Sequence, residues 1–302
     1  MSRPAKLQVR IGTRGSQLAL WQANEVAKHL AEQGYRPEIV TYKTTADKRQ
    51  DVSLAAIGGK GLWVKELEEA LLRRDIDVAV HSLKDVPSII GEEFVLAGFL
   101  QRADPRDAWV NLDGLPIASL PGGAVVGTGA PRRRAQLRAL YPHLRIDDIR
   151  GNVDTRINKL RAGLYDGAIL ASAGLTRLGR SSEITSYFSI DEMLPACGQG
   201  IVAIETLRGH SEVAASINHP PTQLAAFCER GVLQKFGARL DCYSACAVHA
   251  TLDDGAITLR AFFGELEGDR SVRVTCTGRD ADAVIDEVYR ELVNRGVMEL
   301  VA

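Results

Sequence analysis

Leu7-Gln8-Val9-Arg10-Ile11-Gly12-Thr13-Arg14-Gly15-Ser16 reads as a short strand running into a glycine-bearing loop, and beyond it Leu18, Trp21, Ala23, Val26, Ala27 and Leu30 recur at helical spacing. Ser16 is placed to cap that helix. A strand, a tight loop and a helix N-terminus make an anion cup, because unpaired backbone N–H groups and the positive end of the helix dipole face the ligand. Arg14 adds a two-pronged donor suited to a carboxylate or phosphate. The pattern returns further along. Ala124-Val125-Val126-Gly127 is strand-like, Thr128-Gly129-Ala130 is the loop, and Pro131-Arg132-Arg133-Arg134-Ala135-Gln136-Leu137 opens a helix with proline at a favoured first position.

A second pair of segments repeats in the same order. Gly58-Gly59-Lys60-Gly61 precedes a helix through Leu67, Leu71 and Leu72 and then a strand from Asp77. Arg150-Gly151-Asn152-Val153 precedes a helix through Ile157 and Leu160 and then the strand Asp166 to Ser172. Two versions of one α/β unit are expected, with both cups opening into a cleft between them. The chain should cross between the halves twice, at Arg102-Ala103-Asp104-Pro105-Arg106-Asp107 and at Leu194-Pro195-Ala196-Cys197-Gly198-Gln199-Gly200. From Pro221 the pattern changes to a helix (Leu224 to Phe236), strands around Val248 and Ile257 to Phe263, and a last helix from Ala281 to Arg295. The expected fold is α/β in three domains: two similar periplasmic-binding-protein-like α/β domains (1–102 with 200–218, and 106–195) around a cleft, plus a small α+β domain over 221–302.

Composition narrows the function. The 302 residues are 45% hydrophobic and 25% charged, ordinary for a folded globular chain. No stretch approaches the roughly 18 apolar residues of a membrane span, and the N-terminus lacks an apolar signal core, so a cytoplasmic address is expected. Five cysteines without a secretory context favour reduced thiols. Net charge is −1, yet from Arg132 to Arg161 nine basic residues face three acids, a local field that calls for an anionic ligand. Only Tyr141 interleaves there, with Tyr165 just beyond, too few aromatics for an RNA surface, so no nucleic-acid partner is expected.

The chemistry gathers at loops. His81-Ser82-Leu83-Lys84-Asp85-Val86-Pro87 follows the apolar run Asp75 to Val80, so a strand delivers an ammonium and a carboxylate into a turn. Arg14, Arg132, Arg133, Arg150, Arg156 and Arg177 all stand where strands end or helices begin, and can converge on carboxylates. Arg134, Arg138 and Arg161 read as solvated helix faces. Asp85 among cations suits the stabilisation of a cationic intermediate or the shuttling of a proton to a leaving amine. Cys242, Cys246 and His249 resemble metal ligands, but C-x3-C-x2-H lacks a fourth partner and the usual zinc spacing, so no metal is expected. Cys228 and Cys276 read as buried structural thiols. A cysteine in the loop Leu240 to His249 can instead serve as a covalent anchor.

These residues resemble the porphobilinogen deaminase (hydroxymethylbilane synthase) family. The likeness is carried by Ile11 to Ala23, Gly58 to Leu67, His81 to Pro87, Asp104-Pro105-Arg106-Asp107-Ala108, Arg150-Gly151-Asn152-Val153 with Thr155-Arg156, and Ala173-Gly174-Leu175 with Arg177-Leu178-Gly179. It implies a monomeric enzyme of tetrapyrrole biosynthesis that condenses four porphobilinogen molecules, releasing ammonia each time, on a dipyrromethane cofactor held by a cysteine thioether. Asp85, with Lys84, matches the catalytic position. Arg14, Ser16, Lys84, Arg132, Arg133, Arg150, Arg156 and Arg177 match positions that bind cofactor and substrate carboxylates, and Lys60 matches a lysine of a mobile loop.

Several positions depart from the family pattern. Gly129-Ala130 replaces a serine pair, Ala56 replaces a lysine, Trp63 replaces a phenylalanine, and Asp154 adds a negative charge where glycine is common. No glycine adjoins Cys242 and no proline follows it. Counting back from Asp254-Gly255 puts the cofactor cysteine at Cys242. Counting forward from Cys228-Glu229-Arg230 favours a register nearer Ser244, and Cys246 is the reserve anchor. Two other readings stay open at this level: a non-catalytic anion-binding protein of hinged two-domain type, and a paralogue with altered or absent primer attachment.

Overall fold

The computed structural model describes residues 7–43, 64–240, 244–267 and 270–300. They form two compact units, 1–102 with 201–223 and 103–200 with 224–302, and the chain passes between them after Arg102, after Gly200 and after Gln223.

Unit 1 alternates β1 (Gln8–Arg14), α1 (Gln17–Glu32), β2 (Arg36–Tyr42), α2 (Lys65–Leu72), β3 (Val78–Ser82) and β4 (Phe94–Phe99). Unit 2 begins with β5 (Asp107–Val110) and continues through β6 (Val125–Gly127), α3 (Pro131–Leu140), β7 (Arg145–Asp147), α4 (Val153–Arg161), β8 (Gly167–Ala171), α5 (Ser172–Arg177) and β9 (Ser186–Tyr187). The chain then returns to unit 1 as β10 (Val202–Leu207) and α6 (Glu212–Ala215).

The two sheets share one topology. Their strand orders are β2-β1-β3-β10-β4 and β7-β6-β8-β5-β9. In each, the first three strands are parallel and the fourth is antiparallel to both neighbours. The first two crossings each run from the fifth strand of one sheet to the fourth strand of the other. The duplication expected from the sequence is therefore present at the level of topology.

Both faces of the unit 1 sheet are covered, as parallel strands require. Val9, Ile11, Val78, Val80 and Ile204 meet Ala23, Val26 and Leu30 of α1, while Ala79 and Phe94 meet Leu67 and Leu71 of α2. Leu72, expected on the inner face of α2, is exposed at its last residue. The buried stripe of α1 is Ala19, Gln22, Ala23, Val26 and Leu30, with Trp21 at the surface. Gln22 enters the core because its amide has a partner: Nε2 donates to Ser82 Oγ at 2.7 Å.

In unit 2 the Trp109 ring lies against the start of β8, where a Cβ on Gly167 would fall 2.1 Å from Trp109 Cη2. Only glycine admits that approach. The C-terminal part comprises α7 (Pro220–Phe236), β11 (Ala245–Asp253), β12 (Ala256–Gly264), β13 (Ser271–Gly278), α8 (Ala281–Asn294) and α9 (Val297–Leu300). Its antiparallel sheet, β11-β12-β13, has its own core of Val248, Leu259, Phe263, Val284 and Val288. A second patch, Ala245, Ala247 and Phe262 against Ala135 and Leu194, joins this small layer to the second sheet in one compact unit.

Candidate active site

Most of the expected site residues stand where parallel strands end, the usual place for chemistry in an open α/β sheet. In unit 1, Arg14 is the last residue of β1, and Ser16 caps α1 as expected, its Oγ accepting from Ala19 N at 3.3 Å. Neighbouring β3 runs into a single 3₁₀ turn, Leu83–Asp85. Leu83 is buried and its N–H is held by Ile201 O at 3.0 Å. The turn is thus tethered while Lys84 and Asp85 are exposed.

In unit 2, Arg150 follows β7, and its Nε donates to Asp148 Oδ2 at 2.9 Å with both side chains partly exposed. Gly151 turns the chain at φ +105°. Arg156 folds back to donate from Nε to Gly151 O at 2.8 Å, and Lys159 Nζ donates to Arg150 O at 3.2 Å. Two basic side chains of α4 therefore brace the loop that presents Arg150. Arg177 ends α5 and donates from Nη2 to Gly200 O at 2.7 Å. After β6, Thr128 Oγ1 accepts from Ala130 N at 3.3 Å, and α3 opens at Pro131 with Ala130 as an N-cap that has no side-chain acceptor.

Arg132 and Arg133 are the most buried of the expected site arginines. Both are at least 95% buried, and both grip Asp107, the first residue of β5. Arg132 donates to Asp107 Oδ2 at 2.6 Å and Oδ1 at 3.0 Å, to Leu194 O and to Gln199 Oε1. Arg133 donates to Asp107 Oδ1 at 2.7 Å and to Ile169 O. Gln199 Nε2 adds a bond to Asp107 Oδ1 at 2.8 Å. Burial alone would push the Asp107 carboxyl up, but the two guanidiniums outweigh it and hold the group well below the ordinary carboxylate range. These arginines fasten the second cup to β5 and the second crossing segment.

Asp154 differs from expectation. Its carboxylate is neutralised by Arg180 Nη2 at 2.5 Å and adds no uncompensated charge. Lys60, Cys242, Ala56 and Trp63 lie outside the described residues. Cys246 is half-buried on β11 opposite Phe263, two residues after Ser244. None of the four described cysteines is in a disulfide. Burial pushes the Cys228 thiol up to about 11 and raises Cys276 as well, so both are the unreactive structural thiols expected. Sequence reasoning missed Asp107 and Gln199 as partners of the arginines. The only signal was an acid and an amide inside the two crossing segments.

The family model described as "Porphobilinogen deaminase, dipyromethane cofactor binding domain" matches residues 9–215. The porphobilinogen deaminase of Geobacter sulfurreducens is 45% identical over 280 residues, covering 91% of this chain and 87% of its own length. That of Ralstonia nicotianae is 42% identical over 315 residues, covering 100% of this chain and 93% of its own. Among solved structures, the methionine-binding protein MetQ aligns over 70% of this chain and 86% of its own at 14% identity and a TM-score of 0.44, too loose a likeness to bear on function. A family model across most of the chain, and relatives of this identity across nearly all of it, lead to one assignment: the chain belongs to the porphobilinogen deaminase family.

Proposed function

We infer that this chain is a transferase that joins four porphobilinogen molecules head to tail, releasing ammonia at each addition, and that one water then releases the product as hydroxymethylbilane, supplying its hydroxymethyl oxygen. One observation carries the catalytic assignment: Asp85 is presented on a tethered turn beside Lys84, whereas Asp107, Asp147 and Asp148 at the strand ends of unit 2 and Asp154 in the first turn of α4 are each paired to arginine. A receptor for carboxylates gains nothing from a carboxylate displayed among its cations, which disfavours the anion-binding reading.

Arg14, Ser16, Lys84, Arg150, Arg156 and Arg177 hold the acetate and propionate groups of substrate and cofactor, with Lys60 as a further contact. At each addition the aminomethyl C–N bond breaks with its electron pair leaving on ammonia, a C–C bond forms to the terminal pyrrole carbon of the growing chain, and that carbon gives up its proton. Asp85 stabilises the cation left when ammonia departs, where a fixed carboxylate is worth most. The dipyrromethane, when bound, supplies the pyrrole end for the first addition. Its acidic side chains suit a donor set of guanidiniums, an ammonium and helix N-terminal N–H groups. Cys242 anchors it as a thioether, with Cys246 as the reserve position.

The same reading makes the protein a cytoplasmic monomer acting on a small molecule, with neither nucleic acid nor membrane as partner. Among the described residues no helix is long and apolar enough to cross a membrane. Intact mass of the denatured protein tests the anchor. The parent should carry a covalent addition of two pyrrole units that disappears in Cys242→Ser. An addition that survives there but is lost in Cys246→Ser moves the anchor, and no addition together with no turnover of porphobilinogen contradicts the function.

A further inference from the structure

The strand end that carries Lys84 and Asp85 is held from both faces of its sheet. His81 and Ser82 are the last two residues of β3 and so face opposite sides. On one side Ser82 Oγ takes the Gln22 hydrogen bond from α1. On the other, His81 Nε2 lies 2.9 Å from Glu205 Oε2 of β10, with the side chains 4% and 0% exposed. The antiparallel register sets His81 opposite Ala203 and Glu205 opposite Ala79, so the pair runs diagonally between the two strands on one face.

Such a pair is a poor way to gain stability. Both groups lose their hydration, and an apolar pair of similar volume would hold the strands at least as well. Among the described residues Glu205 Oε1 and the adjacent Thr206 Oγ1 are buried without hydrogen-bond partners, so no further bond there offsets the desolvation. What a diagonal polar pair does supply is register. A slip of β3 on β10 by one residue would separate imidazole from carboxylate and turn the following residues to the wrong face. Those residues are Leu83, Lys84 and Asp85.

We propose that Glu205 is a positioning residue for the reaction: through His81 it locks β3 onto β10 and fixes where the next turn presents Asp85. The proposal rests on Asp85 being the catalytic carboxylate. Glu205→Gln, His81→Gln and the double variant, each made alone and with Asp85→Asn, test it. In the Asp85 background each single variant should lower kcat about ten- to hundredfold through misplacement of the carboxylate. KM for porphobilinogen should stay within about twofold, and the covalent primer should remain visible by intact mass. The double variant should lose no more than the worse single one, because one contact is being removed. Added to Asp85→Asn, none should slow the residual rate further. Where Glu205→Gln does not fold, His81→Gln, which removes the same contact from its other side, should give the same loss in kcat alone. A rise in KM matching the fall in kcat, or a full further loss on top of Asp85→Asn, would show a merely structural pair and overturn the proposal. Parent-like turnover by Asp85→Asn itself would instead remove the catalytic assignment, and the proposal with it.

Discussion

Asp85 and Asp107 lie at opposite extremes of environment. Asp107 is fully buried, and its carboxylate is consumed by Arg132, Arg133 and Gln199. Asp107→Asn would leave two buried guanidiniums short of a counter-charge, so it should cost about 3–5 kcal/mol of stability. Urea unfolding would show this as a lower midpoint at unchanged slope. Glu68 on α2 gives a prediction with a pH sign. Burial first, then repulsion from Glu205 and Glu93 partly offset by His81, raises its carboxyl to about 7. The folded protein thus keeps a proton that the unfolded chain releases near 4.5, and this residue's contribution to stability falls as pH rises from there to 7 and stays lower above it. Glu68→Gln should therefore melt higher than the parent at pH 8 and level with it at pH 4. A stabilisation equal at both pH values would contradict the shift. At this scale the sequence is ambiguous for a definite reason. An arginine beside a strand end and a helix start is written the same way whether its side chain stays partly exposed, like Arg14 after β1, or meets a buried acid 25 residues earlier, like Arg132.

At the scale of elements, the strand–loop–helix units are readable because their signals are local. Ser16 caps α1, Pro131 opens α3, and the glycine of Arg150-Gly151-Asn152 turns the chain where expected. The stripe of α1 is harder to read, since Gln22 is buried for a hydrogen bond to Ser82 that comes 60 residues later. The loop after β7 yields a prediction. Gly151 has φ +105°, and a Cβ there would lie 2.7 Å from Thr155 Cγ2. Gly151→Ala should cost about 1–3 kcal/mol in strain. It should also raise KM for porphobilinogen, because the same loop aims Arg150. Unchanged KM with lowered stability would separate the loop from substrate binding. Ser16→Ala should cost about 1 kcal/mol as a lost cap, read as a fall in melting temperature.

Across the whole molecule, the repeated motifs reveal a duplication, but not that each sheet takes its antiparallel fourth strand from beside a crossing. β10 pairs with β3 from about 120 residues away, and no local pattern encodes so distant a partner. The consequence is functional. The strand that fixes the Asp85 turn arrives only after the chain has built the sheet of unit 2 and returned, so the carboxylate's position depends on the completed fold. The central claim is that this positioned carboxylate drives the condensation. Its most direct measurement is the mass of intact Asp85→Asn protein followed in time after addition of porphobilinogen, beside the parent. The account predicts that the variant retains a covalent addition of two pyrrole units and gains further units at least about a hundredfold more slowly than the parent. Stepwise gain of pyrrole units at the parent's rate would contradict it.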